Sequence, residues 1–189
     1  MISAILLAAG QSKRMKGTNK LAKEIKGLPM IKRVVKNILS SPIDELIIVL
    51  GHQKEIIKEI IDEDKKIKFI FNKNFETGIA SSIKTGLNRL SKKSSAFFIC
   101  LGDMPMVDKN IYKTLIESKN NKEIIIPNYN GKQGNPVLFS ISMKEKIMTI
   151  QGDVGAKKIL ELNKNKILNI ETNDKGVSTD FNTEDNFIL

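Results

Sequence analysis

The first residues able to do chemistry lie between Leu7 and Lys20, LAAGQSKRMKGTNK, where an apolar run breaks into a loop with two glycines and four cationic side chains, Lys13, Arg14, Lys16 and Lys20. Gly10 can adopt backbone angles closed to other residues and lets a ligand approach the main chain, so the amides of Gln11, Ser12 and Lys13 can point at phosphate oxygens. The cations supply the matching charge. Two familiar phosphate-loop patterns do not fit: counted from Gly10, GxxxxGK[ST] needs glycine where Met15 stands, and GxGxxG needs it where Ser12 stands. A second place is Asp103, in Gly102-Asp103-Met104-Pro105, directly after the apolar run 96–101. A carboxylate at the end of a central strand is what a hard magnesium ion bridging triphosphate oxygens requires. The competing use, capping the helix that follows, falls better to Asp108. The third place is the pair Asp180 and Asn182, two apart and so pointing the same way on an extended segment, with Thr183 as cap of a last helical turn. Either of the pair can complete a magnesium shell.

The elements that must position these residues follow from periodicity. Ile2, Ala4, Ile5, Leu6 and Leu7 show no polar alternation, which predicts a strand buried on both faces. Helix-spaced apolar residues follow Pro29 over 30–39, then come a strand at 46–50, a helix at 54–61, a strand at 67–71, a helix at 83–90 and the strand at 96–101. Further on, the pattern predicts a helix at 111–118, strands at 123–127 and 137–139, a helix at 156–162 and a strand at 167–170. Strands alternating with helices predict an α/β fold with a doubly wound, mostly parallel sheet, whose ligand crevice lies outside the carboxyl ends of the strands. Ser81 or Ser82 caps the helix that follows Gly78, leaving the other serine and Gly78 to meet a ligand. Gly134-Asn135-Pro136 reads either as a binding-loop tip or as a hairpin turn. Gly152 and Gly155 bracket Asp153 before a helix whose free amides can bind an anion. Residues 1–189 form one domain, with 129–167 as a lobe over the crevice.

Composition narrows the partners. No apolar run approaches the roughly 18 residues that span a membrane, and the first residues lack the pattern of a signal peptide, so the expectation is a cytoplasmic protein with no membrane partner. Cys100 is the only cysteine and sits in an apolar run, which excludes an intramolecular disulfide and a cysteine metal cluster and predicts an inert core thiol. His52, the only histidine, cannot build a histidine metal site; it reads as a loop residue making structural hydrogen bonds or, less simply, as a base. The net charge of +10 raises nucleic acid as a partner. The lysines are spread along the chain, however, and the eight Phe and two Tyr fall largely inside apolar runs, leaving no stacking platform. A polyanionic small ligand suits such a surface equally well.

Seven motifs in order carry a resemblance over almost the whole chain: LAAGQSKRM with Lys20, GHQ at 51–53, NFETGIASSIKTGL at 74–87, LGDMP at 101–105, GNPVLF at 134–139, GDVGAKKIL at 152–160 and DFNTEDN at 180–186. The chain resembles the molybdenum cofactor cytidylyltransferases, members of the MobA-like nucleoside triphosphate transferases. The resemblance implies a Rossmann-like three-layer α/β/α sandwich of the nucleotide-diphosphosugar transferase type. It implies magnesium-dependent transfer of CMP from CTP to the terminal phosphate of molybdopterin, with release of pyrophosphate, and a molybdoenzyme or its maturation chaperone as a further partner. Carried onto this sequence, it assigns catalysis to Arg14, Lys20 and Asp103, and nucleotide binding to Leu7, Ala8, Ala9, Gly10, Gln11, Ser12, Gly78, Ser81 and Ser82. It assigns the acceptor to Asn135, Gly152, Asp153 and Gly155, and the metal to Asp103, Asp180 and Asn182. Three departures stand out. Asn135 replaces the histidine of many relatives, Asn182 replaces a second acidic residue, and Ala9 stands where guanylyl-transferring relatives tend to have glycine, which favours CTP over GTP. Alternatives are a guanylyl- or sugar-phosphate nucleotidyltransferase on the same scaffold and a non-catalytic nucleotide- or cofactor-binding module.

Overall fold

Strand β1 (Ile2–Ala8) runs through the middle of the sheet because every one of its residues after Ile2 is buried, as a strand covered on both faces requires. The structure is a computed structural model and describes residues 1–11 and 19–181. After β1 come a two-residue hairpin, β2 (Glu24–Ile25) and β3 (Leu28–Pro29), then α1 (Met30–Leu39), β4 (Glu45–Leu50), α2 (Lys54–Ile60), β5 (Ile67–Phe71), α3 (Ile79–Leu87) and β6 (Ala96–Leu101). The second half holds α4 (Lys109–Glu117), β7 (Ile124–Tyr129), β8 (Lys132–Gln133), β9 (Val137–Ser140), α5 (Lys144–Ile147), α6 (Lys157–Leu162) and β10 (Ile167–Glu171). The main sheet has the order β10-β7-β9-β6-β1-β4-β5, with β8 paired to β7.

Alternation along β1 builds the three layers. Ala4, Leu6 and Ala8 face a core shared with α1, α2 and α4, whereas Ile5, Leu7 and Ala9 face one shared with α3, α5 and α6. Both β4 and β6 pair with β1 in parallel, so the chain winds outward from β1 through β4 to β5 and then returns to the other side of β1 as β6. That reversal of strand order opens the crevice. Strand β9 is antiparallel to β6 and β7, with Val137 opposite Ile99 and Ser140 opposite Ala96. Because it runs backwards, β9 delivers its preceding turn, Gly134-Asn135-Pro136, to the edge where the parallel strands end. Of the segment 129–167, β9 thus belongs to the main sheet, while α5 and α6 pack on one of its faces. The hairpin between β7 and β8 turns at Asn130 and Gly131, both with positive φ (50° and 76°), the conformation that Asn-Gly adopts readily.

Helix α3 differs from its predicted start. It begins at Ile79, and neither Ser81 nor Ser82 is its cap: Gly78, at φ 107°, holds that place. Asp108, as expected, caps α4, accepting from the amide of Asn110. Among the described residues no helix is long and apolar enough to cross a membrane. Burial pushes the Cys100 thiol up to about 12, although the neighbouring Tyr112 hydroxyl opposes this, so the thiol is inert as expected.

At the opposite end of the sheet from the crevice, Glu45 organises a buried polar knot. It accepts from the Ser3 hydroxyl at 2.7 Å, the Ser91 amide at 2.9 Å and the Lys68 ammonium at 2.8 Å. Burial of this side chain opposes its ionisation, yet the donors Lys68, Ser91 and Ser3 outweigh burial and hold the carboxyl below its usual value. A depressed folded-state pKa gives stability that is present above the unfolded value and is lost as pH falls through the folded one. We expect Glu45→Gln to lower stability by about 1–3 kcal/mol at neutral pH. We also expect it to flatten the acid limb below the ordinary glutamate value, as urea unfolding at a series of pH values will measure; parallel wild-type and variant profiles would refute the assignment.

Candidate functional site

The carboxyl ends of β1 and β6, the loop after β5 and the start of α3 enclose a cavity of about 600 Å³. Leu7, Ala9, Gly10 and Gln11 line it from the end of β1, Lys20 and Leu21 from the turn before α1, and Phe75 to Ile79 with Ser82 from the α3 side. Leu101, Gly102 and Asp103 come from the end of β6, and Asp153 closes the rim. Close approach at the base depends on glycine. A Cβ on Gly51 would lie 2.6 Å from the Ala9 carbonyl oxygen, and one on Gly102 would lie 3.0 Å from that of Leu7. Gly102 also donates its amide to Leu7 at 3.1 Å, which fixes the loop after β6 against the end of β1.

Two of the predicted catalytic residues meet. The side chain of Asn19 accepts from the Leu21 amide at 3.1 Å and starts a short turn that presents Lys20. Its Nζ lies 2.6 Å from Oδ2 of Asp103, with the two side chains only 16% and 19% exposed. The main-chain carbonyl of Asp103 accepts from the Phe181 amide at 2.9 Å, which ties the segment that follows Asp180 to the end of β6; Asp180 itself is exposed and is not among the residues that line the cavity. Ser12, Arg14 and Asn182, together with Lys13, Lys16 and Thr183, lie outside the described residues.

The α3 side is built by a residue that the sequence did not single out. Asn72, 3% exposed, accepts from the Asn74 amide at 2.9 Å and donates to the hydroxyls of Ser81 and Ser82 at 2.8 and 3.0 Å. The Ser81 hydroxyl reaches the carbonyls of Asn74 and Gly78 and so holds the loop, whereas Ser82 faces the cavity. Asp153 caps α3 from a distant segment, accepting from the Ile79 amide at 3.2 Å, and Gly152 accepts from Ala80 at 3.1 Å. A Cβ on Gly78 would lie 2.6 Å from the Gly152 carbonyl carbon, and Gly155 packs near Ile79. Glu76 accepts from the side chain of Gln11 at 3.1 Å across the cavity, a second contact absent from the sequence reading. Gln11 stood there as a backbone donor only, and a glutamate in an irregular loop carries no periodic signal.

The predicted acceptor residues fall in two places. Gly152, Asp153 and Gly155 gather at the start of α3, while Asn135 lies apart, its amide donating to the Val177 carbonyl at 2.8 Å. The segment that receives it is laced to the loop after β6: Asp174 accepts from the amides of Asp108 at 3.0 Å and Gly176 at 2.8 Å, and Gly176 packs directly on the Met106 carbonyl. His52 is outside the cavity lining, its ring 6.3 Å from that of Phe75.

Asp103 and Asp180 are hard oxygen donors, and among the described residues there is no group of three or more His, Cys, Asp or Glu that could form a complete metal cage. That donor set suits magnesium, which is commonly held by one or two carboxylates while substrate phosphates and water fill the other positions.

The sheet order, the cavity and its placement define the fold of the nucleotidyltransferases. A crystal structure of the homologue of Mycobacterium tuberculosis Rv0371c from Mycobacterium sp. strain JC1 superimposes with a TM-score of 0.86 at 23% identity, covering 98% of this chain and 92% of that one. Rv0371c itself, in a complex with manganese, gives 0.77 at 20% identity over 90% of this chain and 88% of that one. The chain belongs to the MobA-like NTP transferase family, whose domain model matches residues 4–168. Curated relatives include the probable molybdenum cofactor guanylyltransferases of Methanosarcina acetivorans, 29% identical over 79% of this chain and 67% of that protein, and of Methanosarcina mazei, 31% identical over 75% and 64%. The match thus spans about two thirds of the length of these relatives.

Proposed function

We propose that this nucleotidyltransferase moves CMP from CTP to the terminal phosphate of molybdopterin and releases pyrophosphate. The observation that carries the reading is the meeting of Lys20 and Asp103 inside a cavity whose walls come from the loops assigned to the nucleotide. The family supports the reaction class, and the two curated relatives support the molybdenum cofactor as acceptor. Ala9, on the cavity wall, favours cytidine. The same relatives are guanylyltransferases by name, and that favours GTP as the second reading.

A phosphate monoester has its second pKa near about 6, so the acceptor is largely a dianion at neutral pH and attacks without a general base. No histidine lines the cavity, in keeping with this. The attacking oxygen bonds to the α-phosphorus as the bond to the β-phosphate bridging oxygen breaks, and pyrophosphate leaves in line. Backbone amides after Gly10 hold the polyphosphate, and Lys20 with Arg14 neutralises charge on the α-phosphate and the leaving group. Asp103, with Asp180 or Asn182, would hold magnesium, which supplies charge neutralisation on the triphosphate oxygens. The product would pass to a molybdoenzyme or its maturation chaperone.

The test is a thermal-shift titration with CTP, GTP, UTP and ATP, each with and without magnesium. A ligand at a hundred times its Kd stabilises the folded state by about 2.7 kcal/mol, which for a chain of this size raises Tm by roughly 5–10 °C. We expect the largest magnesium-dependent shift with CTP, followed by pyrophosphate release on adding molybdopterin. A larger GTP shift moves the assignment to guanylyl transfer, and no shift with any triphosphate overturns it.

A further inference from the structure

Lys20 and Asp103 are 83 residues apart in sequence, yet their charged ends lie 2.6 Å apart, largely shielded from water. That contact conflicts with the work assigned to each residue. The Asp103 oxygen held by the ammonium is less available to a metal ion, and the ammonium held by the carboxylate is less available to a phosphate. We infer that, in the substrate-free protein, the Lys20 ammonium stands in for the divalent cation on Asp103, and that an arriving triphosphate exchanges the partners. Phosphate oxygens draw Lys20 away through charge-assisted hydrogen bonds, and the carboxylate is released to the metal that accompanies the nucleotide. The identity of the exchanging ligands rests on the nucleotidyltransferase reading of the cavity.

The physical basis is the small exposure of the pair. Two charges that water reaches poorly are weakly screened, and removing one leaves the other partly buried and uncompensated. Asp103 without Lys20 therefore seeks another cation. With Lys20 present, a divalent ion must displace an ammonium already attached to the protein. Metal and triphosphate binding become coupled, and the coupling is reciprocal: each strengthens the other by the same factor. The protein then holds little metal until the nucleotide is present. The donor set agrees, since the described carboxylates form no complete cage that would bind an ion alone.

Manganese binding, followed by water-proton relaxation enhancement with and without CTP, tests the exchange without any turnover. Lys20→Met and Lys20→Gln, each checked for folding by circular dichroism, are expected to bind manganese about tenfold more tightly than wild type in the absence of nucleotide, a typical size for such coupling. Lys20→Arg, which keeps a cation on the carboxylate, is expected to stay as weak as wild type, and Lys20→Met combined with Asp103→Asn to lose the gain. CTP is expected to raise the wild-type affinity about tenfold and that of Lys20→Met much less. If CTP tightens manganese binding in wild type but neither neutral variant gains affinity without it, the exchange is overturned and the nucleotidyltransferase reading stands. A gain that survives in the double variant also overturns the exchange, because the new site is then not Asp103. If CTP leaves wild-type manganese binding unchanged, the exchange falls together with the reading on which it rests.

Discussion

Replacing Asp103 by alanine is expected to lower nucleotidyl transfer on the order of 10²-fold to 10³-fold, the usual loss when one preorganised electrostatic group of a transition state is removed. The reason lies in position. Asp103 stands just after the carboxyl end of β6, next to central β1, and lines the cavity from the same edge as Gly10 and Gln11. The change leaves Lys20 without this partner and should lower Tm, but the tether from Phe181 survives because it ends on the main-chain carbonyl of Asp103 and not on its carboxylate. The clearest readout is kcat with saturating nucleotide and metal, measured by pyrophosphate release. Turnover within a few-fold of wild type, measured below the melting temperature of the variant, would remove Asp103 from the chemistry.

The second large effect is expected at Gly176, which is not among the residues that line the cavity. A Cβ there would lie 2.2 Å from the Met106 carbonyl oxygen and 2.5 Å from its carbon, and backbone cannot yield as a flexible side chain can. Gly176→Ala should therefore push the segment 174–178 off the loop after β6. Overpacking of this kind costs about 1–3 kcal/mol. At about 2–4 °C per kcal/mol for a chain of this size, Tm should fall by roughly 2–12 °C. Activity should fall as well, because the same segment leads to Asp180 and anchors Asn135 through the Val177 carbonyl. Gly131→Ala is the comparison, since a Cβ there meets nothing within 4 Å and only its positive φ is strained. Equal melting shifts in the two variants would show that the contact with Met106 is not what Gly176 serves.

The strands at 46–50 and 96–101 were legible because uninterrupted apolar runs have one economical use in an α/β protein, to be covered on both faces; 67–71, interrupted by Lys68, is an edge strand only partly covered. Asp103 was legible for a related reason, being the first carboxylate after such a run. The pairing of Asp103 with Lys20 was not, since nothing local reports a contact across 83 residues. The start of α3 was misread for the same reason: a serine two or three residues inside is a plausible cap, but the Ile79 amide is taken by Asp153, 74 residues later. The direction of β9 was equally hidden, because Val-Leu-Phe reads the same in a parallel or an antiparallel strand. The hairpin of β2 and β3 has two-residue strands, too short for any period to show. Asn72 looked like an ordinary loop residue. Its role as the buried donor to Ser81 and Ser82 depends on a fold that excludes water from it.

The central place of β1 also bears on how the chain reaches its fold during synthesis. Strand β1 leaves the ribosome before either of its neighbours, pairing on one flank with a strand that begins at Glu45 and on the other with one that begins at Ala96. At roughly 5–20 residues per second, the second flank becomes available only about 5–20 s after β1 has been made. During that interval an apolar segment stands with at least one open hydrogen-bonding edge, the state in which nascent chains aggregate. This protein should therefore depend on holding chaperones while it is being translated, and cooling or slowing its expression should change its soluble yield more than for a protein whose neighbouring strands are made one directly after the other.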